Sequence, residues 1–385
     1  MRKKLALLFL VALTMITGCG AKFNDSIDPI NTIYLPNKVV DEIEEKEDTS
    51  YIDSYNNYAI DKAVELFSRD QNELFSPMSM YFPTIAYYDG LDEEARKEIG
   101  ERFFLDEDYV EQYMKIYNDS VYANKKERSV YKNLIFIAGE EDKDLLSEDY
   151  MNRLKKFHVG YISHPKEDNE KISEELDKFV SKSTGQTFDK SSLKEDLDRA
   201  ILSFNEYNGN WKVKKVYERP YGLDFNSLDG KKKTMTAIKG IARTKYSINE
   251  DYTSMEMPLE DGFSLLFAMP DDFEKFDLTD KETLKALLKS PSEEGHIVFS
   301  LPKFSVKKEL DLTDLYSELD MAQIKQYLSF EINKEGIKGY RDMEINAFKT
   351  KEKVEDRREI VIDKPFIYAL KSPKGEICYL GVYKY

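Results

Sequence analysis

Few residues in this chain combine a reactive type with a spacing that supports chemistry. His158, His164 and His296 are scattered, without the spacing of a metal-ligand set. Ser76 precedes Pro77, and no G-x-S-x-G turn surrounds it. It reads as the cap of a helix whose first position is Pro77, not as a nucleophile. No Gly-rich phosphate loop is present. The expectation is therefore a chain with no catalytic set, no cofactor and no metal. Two cysteines remain. Cys378 lies in the apolar run Ile377–Cys378–Tyr379–Leu380 and reads as a small buried hydrophobe. Cys19 has a different setting.

Arg2, Lys3 and Lys4 form a positive start, and Leu5 to Ile16 is apolar. That apolar run is too short for a membrane span, which needs about 20 residues. Small residues then lead into the cysteine, as Ile16–Thr17–Gly18–Cys19. The arrangement is that of an export leader. Its end resembles the bacterial lipobox, in which the bond before the cysteine is cut and the thiol takes a diacylglyceryl group. Residues 1–18 are thus expected to be a lipoprotein signal peptide, with lipidation at Cys19. Residues 19–50 follow as an acidic, lipid-anchored tether. They carry Pro29, Pro36 and the run Asp41–Glu42–Ile43–Glu44–Glu45–Lys46–Glu47–Asp48, a composition that extends by self-repulsion. The expected location is the cell envelope, facing the extracellular or periplasmic side. Once Cys19 is modified, Cys378 has no partner for an internal disulfide.

The remaining stretch, 51–385, must position whatever function exists. Aromatic residues make up 13% and hydrophobic residues 41% of the chain, enough for a large core and inconsistent with disorder. A formal net charge of −16 argues against a nucleic-acid partner, because phosphate backbones need clustered Lys and Arg. Lys125–Lys126–Glu127–Arg128 reads as a solvated face in so acidic a chain. A monomer is expected.

Tyr58, Ala59, Lys62, Ala63, Leu66 and Phe67 have helical spacing, and a helix from Pro77 stops near Gly90. Another starts at Asp92, and Lys171 to Ser183 is amphipathic. Leu134–Ala138, Ala200–Trp211, Phe263–Met269, Val298–Phe304 and Ile360–Tyr368 read as strands. A closing hairpin pairs Ile367–Leu370 with Ile377–Leu380 across Pro373–Lys374–Gly375. Helices dominate the first half and strands the second, which predicts one α+β body with no internal repeat.

Several of these segments resemble the serpin family, in family order from about residue 55 to the C-terminus. Asn57–Tyr58–Ala59 resembles the start of its first helix. Phe75–Ser76–Pro77–Met78–Ser79 resembles the N-x-x-F-S-P-x-S helix beneath the main sheet. Phe179–Val180 with Thr184–Gly185 resembles the T-x-G-x-I turn. Tyr207–Asn208–Gly209–Asn210–Trp211 resembles F-K-G-x-W, and Leu301–Pro302–Lys303–Phe304 resembles L-P-K-F. Asp363–Lys364–Pro365–Phe366 and Leu380–Gly381–Val382 resemble the closing elements. Ser203 departs from the family's Asn, and Val382 follows Gly381 where an Arg is usual.

The resemblance implies a single serpin-like body, with helices packed on large mixed and antiparallel sheets and an exposed reactive-centre loop. It also implies an inhibitor of serine or cysteine endopeptidases, in which a cleaved loop inserts as a strand. The alternative is a non-inhibitory serpin-fold binding protein of the envelope. By the family hinge, the loop starts at Glu335–Gly336 and lacks the usual Thr and Ala run. Along a strand, Ile337, Gly339, Arg341, Met343, Ile345 and Ala347 share one face with only Arg341 charged. Gly336, Ile337, Gly339, Arg341 and Met343 are the expected hinge residues. Family spacing puts the scissile bond near Thr350, with Lys349, Lys351 and Lys353 as candidates that suit an acidic, trypsin-like pocket. The same stretch, Lys349 to Arg358, also reads as a plain charged loop.

Overall fold

The structure, a computed structural model, describes residues 33–34, 50–67, 71–88, 93–103, 129–138, 159–164, 174, 199–213, 215–260, 262–319, 321, 323–337 and 358–385. For 129–138 and 159–164 the backbone alone is described. The described helices longer than one turn are α1 (Ser50–Leu66), α2 (Pro77–Tyr88), α3 (Glu93–Phe103) and α4 (Lys281–Leu288). The strands, in chain order, are β1 (Ile33–Tyr34), β2 (Glu73–Phe75), β3 (Ser129–Ala138), β4 (Val159–His164), β5 (Arg199–Tyr207), β6 (Gly209–Asn210) and β7 (Val216–Glu218). They continue as β8 (Leu223–Asn226), β9 (Lys232–Met235), β10 (Ala237–Ile248), β11 (Tyr252–Pro258), β12 (Ser264–Pro270) and β13 (Glu293–Pro302). The last are β14 (Ser305–Asp311), β15 (Gln323–Glu331), β16 (Gly336–Ile337), β17 (Arg358–Val361), β18 (Phe366–Lys371) and β19 (Ile377–Tyr383).

Two large sheets organise the body. One has six strands in the order β1-β4-β3-β5-β15-β14. The other has nine, eight of them in the order β17-β13-β10-β11-β12-β18-β19-β2, with β7 added beside β10. β18 and β19 are buried along their whole length, and β12 from Leu265 onward. Their apolar side chains therefore run without alternation, as strands covered on both faces must. α1 and α2 pack on β19, and α4 packs on β12. Gly381 allows β19 to pass the ring of Tyr368, since a Cβ there would strike it.

α1 closes one end with buried Tyr51, Tyr55, Tyr58, Ala59 and Ala63. The Tyr55 hydroxyl donates to the carbonyl of Ile377 at 2.6 Å. Lys62 buries its stem and donates to the carbonyl of Leu315 at 2.8 Å, with its charge over the rings of Phe103 and Tyr316.

The expected strand over 360–368 is two strands. β17 runs parallel to β13, whereas β18 runs antiparallel to β12. The chain crosses between them near Pro365, which has no N–H to give to a ladder. Most of the stretch read as a tether, 19–50, lies outside the described residues. Within it, Ile33 and Tyr34 pair antiparallel with Ile162 and Tyr161 at the edge of the six-stranded sheet. Most of Lys171–Ser183 lies outside the described residues as well.

Candidate functional site: a strand seam and the root of a loop

β5 and β15 lie side by side and parallel at the middle of the six-stranded sheet. Their register pairs Gln323 with Ala200, Gln326 with Ser203 and Leu328 with Asn205. This seam is unlike its neighbours, because β15 meets β14, and β5 meets β3, in antiparallel ladders.

The first turn of α2 lies under the seam and holds both sides of it. Pro83 stands inside α2. Having no N–H, it leaves the carbonyl of Ser79 without its helical donor. Ser203 of β5 supplies a substitute, donating its hydroxyl to that carbonyl at 3.1 Å. From β15, Gln326 donates its amide nitrogen to the carbonyl of Ser76 at 2.8 Å and to the Ser79 hydroxyl at 2.7 Å. Its amide oxygen accepts from the Ser76 N–H at 3.2 Å. Ser203 and Gln326 face each other across the seam, so one helical turn staples the two strands together.

The network extends to the closing hairpin. The Ser76 hydroxyl donates to the carbonyl of Cys378 at 2.8 Å. Asn205 donates to that same hydroxyl oxygen, and the Tyr379 hydroxyl donates to the Asn205 side-chain oxygen at 2.6 Å. Ser76, Ser79, Ser203 and Gln326 are fully buried, and Asn205 is almost so. Buried polar groups of this kind are stabilising only while paired. Admitting another strand would move β5 and β15 apart by about 4.8 Å more, so α2 would have to release at least one side.

At the end of the seam, the chain leaves β15 through a tight turn. The Asn333 N–H donates to the Gly336 carbonyl at 2.9 Å, and Ile332 bridges Ile337 antiparallel. The Asn333 side-chain oxygen accepts from the N–H groups of Glu335 and Gly336 at 2.9 and 3.0 Å. β16 then pairs antiparallel with β6, with Gly336 opposite Asn210 and Ile337 opposite Gly209. A Cβ at Gly336 would collide with the Gly209 carbonyl, so this approach needs glycine. Trp211, the chain's single tryptophan, clamps the turn. Its backbone N–H donates to the Glu335 carbonyl at 2.9 Å, and its indole N–H donates to the Asn333 carbonyl at 3.0 Å.

Of the expected hinge residues, Gly336 and Ile337 form β16, and Ile337 is fully buried. Gly339, Arg341, Met343, Lys349, Thr350, Lys351, Lys353 and Cys19 lie outside the described residues. Cys378 is buried and outside any disulfide, its thiol donating to the Glu376 carbonyl at 3.7 Å. Sequence reasoning found Ser76 as a cap and noted Ser203, but missed Asn205, Gln326, Asn333 and Tyr379 as members of one site. The available signal was the pair Ser203 and Asn205, polar residues two apart and so on one face of β5; nothing in β15 singled out Gln326, since Gln323, Lys325 and Ser329 are polar as well.

The family model described as Serpin (serine protease inhibitor) matches residues 53–327. Serpin I2 of Homo sapiens is 24% identical over 374 residues, covering 84% of this chain and 89% of the human protein. Among solved structures, the fold is similar to Serpin48 of the insect Tenebrio molitor, with a TM-score of 0.71 at 16% identity. That match covers 89% of this chain and all of the other. It is similar to the native state of Tengpin, a thermophilic serpin, with a TM-score of 0.71 at 14% identity. That match covers 91% of this chain and 97% of the other.

Proposed function

The chain belongs to the serpin family, and from that premise we propose that it traps serine or cysteine endopeptidases by reactive-loop cleavage and insertion at the cell surface. The observation that carries this reading is the alignment of the seam with the root of the loop. β16 already pairs antiparallel with β6 on one side, and on the other its Ile337 bridges Ile332, the residue that follows β15. Continued in the same register, Arg341 would lie between Asn205 and Leu328, and Met343 between Ser203 and Gln326. Those two pairs already face each other across the seam. A strand entering there would meet two edges that match it without a slip.

The energetics favour entry once the loop is cut. One parallel pairing is exchanged for two antiparallel ones, which are somewhat stronger per residue. Ile337, Gly339, Met343, Ile345 and Ala347 would face the core, and no proline interrupts 336–364. Arg341 opposes entry, since an unpaired buried charge costs several kcal/mol. Asn205 and the Tyr379 hydroxyl would stand beside it as polar partners.

Cleavage is assigned to Lys349, Thr350, Lys351 or Lys353, within reach of trypsin-like enzymes. Cys19 would carry the lipid anchor and keep the trap at the envelope, where exported proteases act. The test is to mix the protein lacking residues 1–18 with a panel of trypsin-like and cysteine proteases. An SDS-stable complex and a large rise in melting temperature on loop cleavage are expected. Cleavage with no complex and an unchanged melting temperature would instead identify a non-inhibitory serpin-fold binding protein.

A further inference from the structure

We infer that Asn333 is a positioning residue that seeds loop insertion, by holding the first residues of the entering strand in register before any protease arrives. The inference rests on the loop-insertion reading and adds to it a residue that sets the rate.

A strand that enters a sheet must first close a turn against its neighbour, and that closure costs chain entropy before any rung is gained. Here the hairpin already exists. Asn333 closes it through its own N–H to the Gly336 carbonyl at 2.9 Å. Its side-chain oxygen holds the Glu335 and Gly336 N–H groups at 2.9 and 3.0 Å. An asparagine that takes N–H groups two and three residues onward fixes a turn without help from the sheet.

The result is that Gly336 and Ile337 occupy the two rungs an inserted strand would begin with. One side is set by Gly209 and Asn210. The other is set by Ile332. Ile337 has its side chain fully buried, so the seed is anchored in the core and does not float on the surface. The register of these rungs extends into that of β5 and β15 without a shift. Insertion from this start is a matter of adding rungs, each of which separates β5 from β15 a little further.

Trp211 bonds both to the turn's carbonyl at Asn333 and to the Glu335 carbonyl, so it senses the seed directly. As the chain's single tryptophan it is an intrinsic reporter.

The experiment compares wild type, Asn333→Ala and Asn333→Asp. Each protein is cut in its loop by trypsin. Insertion is then timed by Trp211 fluorescence, and its end point is read by melting temperature. Asn333→Ala should insert about tenfold more slowly, as expected for losing two side-chain hydrogen bonds from the starting hairpin. Its melting temperature after insertion should still rise far above that of the uncut protein, as in wild type. Asn333→Asp keeps the accepting oxygen and should insert at the wild-type rate.

Two results would overturn the inference while leaving loop insertion standing. One is an Asn333→Ala rate equal to wild type. The other is an Asn333→Asp rate as slow as Asn333→Ala. A wild type that shows no rise in melting temperature after cleavage would remove the loop-insertion reading, and the seed with it.

Discussion

The two large sheets share one core yet are cemented by opposite chemistry. The nine-stranded sheet is held by rings. Phe366 packs among Phe225, Phe267, Phe304, Tyr368 and Tyr383, with centroids 5.4 to 6.4 Å apart. Such packing has no alternative partner in water and resists any change of spacing. The six-stranded sheet is held at its seam by hydroxyl and amide groups around Ser76, Ser79, Ser203, Asn205 and Gln326. Hydrogen bonds between neutral groups are directional, yet they can be traded for bonds to an incoming backbone. On the loop-insertion reading proposed above, the difference separates a region that stays closed from one that opens.

The largest effect should come from the closed region. Phe366→Ala should cost about 3–5 kcal/mol of global stability, the usual range for emptying a large aromatic site. Urea unfolding would measure it. The rate of loop insertion after cleavage should change little by comparison. A matching acceleration of insertion would mean that the two sheets do not divide the work as described.

Gln326→Ala should act in the reverse sense. It removes three hydrogen bonds from the seam and leaves the Ser76 N–H short of a partner. The uncleaved protein should lose about 2–3 kcal/mol, and insertion after cleavage should become faster. If insertion slows instead, the staple is not what holds the seam.

The smallest effect, near neutral pH, concerns protonation. Burial raises the hydroxyls of Tyr55, Tyr58 and Tyr368 above their ordinary value, and raises Tyr383 to about 12. A raised folded value means that stability is complete below the unfolded value of about 10 and falls as pH climbs above it. Burial lowers Lys371, which acts in the opposite direction, but it is one group against several. Unfolding free energy should therefore drop between about pH 10 and pH 12. Ser76, Ser79, Ser203, Asn205 and Gln326 carry no ionisable side chain, so insertion after cleavage should keep a constant rate from about pH 6 to 9. Stability curves and fluorescence time courses at each pH would check the two halves of the comparison separately.

Much of the fold was legible in local pattern. Ser76 before Pro77 announced α2, and both ends of α2 and the start of α3 lie within two residues of their expected positions. The closing hairpin appears with Leu370 opposite Tyr379 and the turn at Gly375. The split of 358–371 into β17 and β18 was not legible. Ile360–Val361 and Phe366–Ile367–Tyr368 are apolar alike, and their partners, β13 and β12, tell them apart. Ser203 looked like a departure from a motif. It gains a reason only beside Pro83, whose missing N–H creates the acceptor that Ser203 fills.

By itself, the sequence determined which segments alternate, where helices are capped, and that one face of the loop after Gly336 is almost wholly apolar or small. Those are properties of neighbours along the chain, set by side-chain period and backbone sterics. Only the tertiary structure decided that β5 and β15 meet in parallel, that α2 staples them, and that Asn333 starts a new strand in their register. The reason is distance along the chain. Gln326 reaches Ser76 across 250 residues and Tyr379 reaches Asn205 across 174. No periodicity in a sequence reports which buried polar groups will find one another across such separations.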